Sequence, residues 1–211
     1  MSGLFISFEG PDGAGKTTVL EAVTKTVGAQ LGDQLLVTRE PGGNQISEAI
    51  RDIILNPENT EMDPRTEALL YAAARRQHLT ETILPALRQG KVVLCDRYVD
   101  SSVAYQGAGR QIGEQAVYDM NTFATNGLLP DLTLYFDVPS EVGIARIKAH
   151  RQDDVDRLDQ EALAFHKLVR AGYLRLRDAY PERITTVDAT QPLNTVIQTA
   201  TDLVNQAIAN R

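Results

Sequence analysis

Tryptophan is absent from this 211-residue chain, and cysteine occurs once. No apolar run approaches the ~20 residues that a helix needs to cross a bilayer, so no membrane association is expected. The lone Cys95 excludes an internal disulfide and fits a reducing compartment, which makes the cytoplasm the expected location. Positive charge is scarce too. Lys and Arg total 21 against 28 Asp and Glu, a net charge of −7, without the basic balance expected of a nucleic-acid binder. A local cationic pocket for phosphates remains compatible with that balance, because a cleft field depends on where charges gather. The opening segment has no basic n-region and no cleavage site, and reads as a strand rather than a secretory signal. Repeats, low-complexity tracts and dividing linkers are missing as well. One domain over residues 1–211 is expected.

What the chain does contain is alternation. Apolar, β-rich runs at Leu4–Phe8, Leu35–Thr38, Val92–Cys95, Leu132–Phe136 and Ile184–Val187 are separated by stretches of helical periodicity. Those stretches predict helices near 15–31, 45–55, 64–88, 113–126, 140–149, 159–178 and 192–209. Several of the strand runs are apolar almost throughout, as strands covered on both faces must be. The expected fold is therefore α/β, a five-stranded parallel sheet flanked by helices on both faces. Asp63-Pro64 supplies a cap residue followed by proline at the first helical position, a good start for the long helix. The segment 146–157 is dense in charge and poor in apolar residues, and reads as a solvated loop or a functional lid.

Residues Gly10-Pro11-Asp12-Gly13-Ala14-Gly15-Lys16-Thr17 match G-x-x-x-x-G-K-[ST] in full, between a strand and an amphipathic helix. Phosphate oxygens need many donors at short range. Glycines let backbone N–H groups converge on them, and the helix N-terminus adds its positive dipole end. Lys16 is expected at the β- and γ-phosphates and the Thr17 hydroxyl on Mg²⁺, with Thr18 completing the ATP-binding segment. Two arginines, Arg39 and Arg97, fall just past strand ends, where open α/β sheets hold ligands. Their planar forks suit a second phosphate. Asp96, closing an apolar run, resembles the acid that supports Mg²⁺ directly or through water at this strand position in related NTPases.

The chain resembles thymidylate kinases over nearly its whole length. The resemblance is carried by residues 8–18, by Thr38-Arg39-Glu40-Pro41-Gly42-Gly43, by Asp96-Arg97-Tyr98 with Ser101-Ser102 and Tyr105-Gln106, by Pro130–Leu134, and by Asp156-Arg157-Leu158-Asp159. It implies the P-loop NTPase fold, phosphoryl transfer from Mg·ATP to dTMP, and a homodimer. It further implies that Arg97 and Arg39 hold the acceptor phosphate, with Arg51 assisting. Asp12 would face the 3′-hydroxyl of the acceptor sugar. Tyr71 would stack on thymine where many relatives have Phe, while Arg75, four residues on and so on the same helical face, contacts O4. Ser102 and Gln106 would meet the N3 edge, and Tyr105 lies between them. Glu40 would support neighbouring arginines or a Mg²⁺-bound water.

An anionic acceptor asks for alignment and charge neutralisation rather than a strong base, so catalysis is assigned to Lys16, Arg97, Asp12 and a lid arginine. Arg151 is the candidate, with Arg146 packing on adenine and Arg157 closing over phosphates; the choice among the three stays open. His78, His150 and His166 receive no catalytic role. The alternatives are a deoxynucleoside kinase, whose neutral acceptor benefits from a base, another nucleoside monophosphate kinase, and a nucleotide-dependent switch. The last lacks support from any guanine-reading Asn-Lys-x-Asp motif.

Overall fold

The computed structural model describes residues 3–150, 157–158 and 161–211. Its elements run β1 (Leu4–Glu9), α1 (Lys16–Leu31), β2 (Leu35–Arg39) and α2 (Gln45–Leu55). Then come α3 over 64–88, β3 (Val92–Asp96), α4 over 99–109, α5 (Glu114–Thr125) and β4 (Leu132–Asp137). The chain closes with α6 (Ser140–His150), α7 (Leu163–Ala179), β5 (Ile184–Asp188) and α8 (Leu193–Ala209).

The five strands form one parallel sheet in the order β2-β3-β1-β4-β5. Because side chains alternate across a strand, Phe5 of β1 joins one core and Ile6 and Phe8 the other. On one face Phe5, Val93 and Tyr135 meet helices α3, α4 and α7; on the other, Ile6, Leu94 and Leu134 meet α1 and α8. This is the expected three-layer arrangement.

Each strand runs one residue beyond its apolar run, and the added residues are Glu9, Arg39, Asp96, Asp137 and Asp188. Ladder pairing continues after hydrophobicity stops, so the carboxyl edge of the sheet is lined with charge. Asp63 caps α3 as its sequence predicts, accepting from Arg65 N and Thr66 N at 2.9 and 3.0 Å. The helix is continuous over 64–88 but contains a π turn at Leu79–Ile83.

One helix is not foreseen. Residues 99–109 begin as α-helix (Val99–Ser102) and widen into a π turn (Val103–Gly109), with every residue buried. Paired serines, β-branched valines and two glycines give this segment poor intrinsic helix propensity. Packing overrides it. At Gly172 of α7 an added Cβ would stand 2.9 Å from Ala108 Cβ and 3.1 Å from Ala104 Cα, so small residues let the two helices close. Helix α7 starts at Leu163, four residues later than its periodicity predicts. Of the expected lid, Arg146–His150 extends α6, whereas 151–156, and with them Arg151, lie outside the described residues.

Candidate active site

At the carboxyl edge of β1, β2 and β3 the chain leaves the sheet in three loops that bound one cavity of about 1050 Å³. The first is the phosphate loop. Gly15 enters α1 in a left-handed conformation (φ 82°), open to glycine without steric cost. At Gly13 a Cβ would stand 2.1 Å from the Gly143 carbonyl, which is how closely α6 packs on the loop. Lys16 Nζ lies back over the loop, donating to Gly10 O and Pro11 O at 2.9 and 3.0 Å. Burial, helped by the nearby Arg97 charge, lowers its pKa to about 8, and Asp12, Asp96 and Glu9 offset part of that. Thr17 is exposed on the cavity wall.

Opposite the loop stands Arg97, directly after β3. Its backbone is left-handed (φ 68°), a conformation that costs a non-glycine residue on the order of 1–3 kcal/mol and persists only when surroundings enforce it. The enforcing contacts are present. Arg97 Nη1 donates to Gly10 O at 3.0 Å and to Ser101 Oγ at 3.1 Å, and Nη2 donates to Asp12 Oδ1 at 2.6 Å. Tyr105 OH donates to Asp12 Oδ2 at 2.6 Å and accepts from Arg97 Nη2 at 3.2 Å. Asp12, Arg97 and Tyr105 thus form one cluster, drawn from three elements.

Arg39 and Arg51 occupy the rim. Arg39 Nη1 and Arg51 Nη1 share the Pro41 carbonyl at 2.9 and 3.0 Å, and Arg39 Nη2 donates to Glu48 at 3.0 Å. The Arg39 side chain is 46% exposed. A pair that open to solvent holds its partners by about 0–1 kcal/mol, so redirecting this guanidinium toward a ligand costs little.

The far end of the cavity is built from α3 and α4. Tyr71, Arg75, Ser102 and Gln106 all line it. Arg75 is 2% exposed, and it is anchored. Its Nε donates to Glu40 Oε2 at 2.7 Å, Nη2 to Tyr98 O at 3.0 Å, and Nη1 to Ser102 Oγ at 3.1 Å and to Asn121 Oδ1. A guanidinium carries five N–H donors, and these bonds use four. Glu40 also meets His78, whose Nδ1 lies 2.9 Å from Oε1 and whose Nε2 is 2.7 Å from Thr38 Oγ1.

The sequence fits the family model described as thymidylate kinase over residues 8–200. The chain belongs to the thymidylate kinase family. It is 68% identical to a thymidylate kinase of Levilactobacillus brevis over all of this chain and 99% of that one. It is 64% identical to another from Latilactobacillus sakei, covering 98% and 97% of the two chains. A crystal structure of thymidylate kinase from Ehrlichia chaffeensis superposes with a TM-score of 0.78 at 28% identity, covering 97% of this chain and 99% of that one. The P-loop NTPase fold expected from sequence is thereby shown.

The cavity gathers most of the residues expected from sequence. The phosphate loop, Arg97, Asp12, Tyr105, Tyr71, Arg75, Ser102 and Gln106 converge on it, with Arg39, Glu40 and Arg51 along its side. Arg146 lines the same cavity, donating to Gly13 O at 3.3 Å and Ala189 O at 3.1 Å. Arg157 does not face the phosphate loop here; it is buried against α2 and α3, donating to Ile54 O at 3.1 Å and to Glu67. Mg²⁺, which the family implies, was expected at Thr17 and Asp96. Among the described residues Asp96 Oδ1 is a buried acceptor without a hydrogen-bond partner, and Thr17 and Asp96 both line the cavity. A hydroxyl and a carboxylate are the hard oxygen donors this ion takes, so the residues fit it.

Two residues escaped sequence reasoning. Glu9, ending β1, is fully buried and accepts from Tyr98 N at 2.6 Å, Ser101 Oγ at 2.5 Å and Tyr173 OH at 3.0 Å. It thereby ties the loop after β3 to α7. Burial first, and the Asp100 charge second, push its pKa up to about 7. A charged residue closing an apolar strand immediately before the phosphate loop was the available signal. Glu67 is the other, and it lies in no motif.

Proposed function

We infer that this cavity aligns two nucleotides end to end, with ATP phosphates on the loop at Gly10–Thr18 and the dTMP phosphate at Arg97. The family fixes the reaction as phosphorylation of dTMP by ATP, a step in dTTP synthesis. The observation that carries the site reading is the joining of Arg97 to the phosphate loop through Gly10 O and Asp12. This puts an acceptor-side guanidinium against the donor cradle. Lys16 would neutralise the β- and γ-phosphates, and Arg39 and Arg51 would close on the acceptor phosphate from the rim. Asp12 would orient the acceptor sugar while holding Arg97. Tyr71 would stack on the base, Arg75 would donate to O4, and Ser102 and Gln106 would meet the ring edge. Arg151, with Arg146 beside the adenine, would supply the lid charge. Thr17 and Asp96 would hold Mg²⁺, which when bound screens the charge that builds between β- and γ-phosphate oxygens.

A coupled ADP-release assay with a panel of monophosphates tests this. ADP release is expected with dTMP and not with thymidine, and chelation of divalent cations is expected to abolish it. Absence of any dTMP-dependent turnover would remove the proposal.

Exposed apolar surface supports a homodimer. Phe123 on α5 is 90% exposed and Leu69 on α3 is 58% exposed, flanking a groove that also contains Ala73, Leu84 and Met120. Ile46 and Ile53 on α2 are half exposed. A cytoplasmic location accords with a single buried thiol, and among the described residues no helix is long and apolar enough to cross a membrane. Phe123→Asp is expected to convert a dimer into a monomer in light scattering. A wild type already monomeric at micromolar concentration contradicts the assembly.

A further inference from the structure

Glu67 is an acidic residue with no exposed surface, and no motif contains it. It sits on α3 four residues before Tyr71, beneath the base end of the cavity. Its Oε1 accepts from Gln106 Nε2 at 2.8 Å. Its Oε2 takes Arg157 Nη2 and stands 3.2 Å from Arg110 Nη2. Arg110 in turn pairs with Glu161 at 2.5 Å.

A primary amide side chain has a donor end and an acceptor end of nearly equal shape, and alone it would present either to a ligand. A carboxylate held between two guanidiniums only accepts. Glu67 therefore obliges Gln106 to turn its nitrogen inward. Among the described residues no group donates to Gln106 Oε1, and Gln106 lines the cavity beside Arg75 and Ser102. The direction of this amide decides which ring edge it will accept. Thymine and uracil carry N–H at position 3 and a carbonyl at position 4. Cytosine carries a lone pair at position 3 and an amino group at position 4.

We propose that Glu67 is a specificity-determining positioning residue: it locks the Gln106 amide with its carbonyl oxygen toward the base, so that the site requires an N–H at ring position 3. The proposal rests on the reading that Gln106 meets the N3 edge. A pyrimidine with a bare N3 would set lone pair against lone pair there. It would also bring its amino group against the donors of Arg75. Sites built around fixed polar groups reject the wrong ligand because the buried partner is left unsatisfied.

The test compares dTMP with 5-methyl-dCMP, which keeps the methyl group and sugar and changes only the hydrogen-bonding edge. In Glu67→Gln the new amide serves Arg157 and Arg110 with its oxygen and turns its nitrogen toward Gln106. Gln106 then reverses and offers N–H to the base. The kcat/KM ratio of dTMP to 5-methyl-dCMP is expected to fall about tenfold, with an absolute gain for 5-methyl-dCMP. A merely structural lesion weakens both substrates alike and leaves the ratio in place. Should Glu67→Gln not fold, Glu67→Asp withdraws the carboxylate from Gln106 while keeping its charge, and the ratio is again expected to drop. An unchanged ratio in a folded variant that still phosphorylates dTMP overturns the proposal and leaves the dTMP site standing. A wild type without dTMP turnover takes down both. In a crystal of the wild type with dTMP, Gln106 Nε2 is expected to stay on Glu67; an amide swung away from it sinks the idea independently.

Discussion

Arg97→Ala is expected to lower kcat/KM for dTMP by about 10³-fold or more, because arginines that neutralise a transferring phosphoryl group are worth about 10³–10⁵ in rate. The loss should fall on kcat as well as KM. Arg97 touches the phosphate loop through Gly10 O, and in the variant its backbone stays tied to β1 through the bond from Arg97 N to Phe8 O at 2.9 Å. Asp12 keeps its bond from Tyr105 OH in the variant, so the cradle itself should survive. ATP affinity, measured by calorimetry, is therefore expected to change far less than turnover. Arg97→Lys is not a rescue: a single ammonium cannot serve Asp12, Ser101 and a phosphate in the plane of a guanidinium. Activity within about threefold of wild type in Arg97→Ala would show that this guanidinium takes no part in the transition state.

Arg75→Ala should be the most destabilising change in the site, by about 3–5 kcal/mol, the cost of stripping the partner from a buried charge. Glu40 is 3% exposed and would retain only His78. Asn121, Ser102 and the Tyr98 carbonyl would lose their donor as well. For a chain of this size the melting temperature should drop by roughly 10 °C. Urea unfolding of wild type and variant checks this; a loss under about 1 kcal/mol would mean that the pair with Glu40 stabilises little. Selectivity for dTMP should fall at least about tenfold in the same variant, since one charged hydrogen bond to the base edge is removed. That ratio must be read well below the melting point, because the residue that reads the base is also a buried strut.

This double duty separates what was legible in the sequence from what was not. Tyr71 and Arg75 were visible as a pair because four residues on a helix share a face. Arg75 as the hub that joins Glu40, Asn121 and Ser102 was invisible, since its partners stand 35, 46 and 27 residues away. Glu40 was expected to support neighbouring arginines or a Mg²⁺-bound water; the arginine it holds in the structure, Arg75, is 35 residues away. The helix over 99–109 was hidden for a related reason: its serines, valines and glycines argue locally against a helix, and only contact with α7 settles the matter.

The sequence by itself determined the parallel α/β layering, the phosphate loop, the family and the strand ends from which Arg39, Asp96 and Arg97 emerge. Each of these is written in short stretches, where hydrophobic period, glycine placement and the direction of a strand act over a few bonds. Tertiary structure alone decided that Glu9 lies under the Arg97 loop, that Arg157 is buried against α2 and α3, and that Glu67 holds Gln106. Those choices join residues 39 to 164 positions apart. They are settled where buried charges must find partners, and no local pattern of the chain announces which partner that will be.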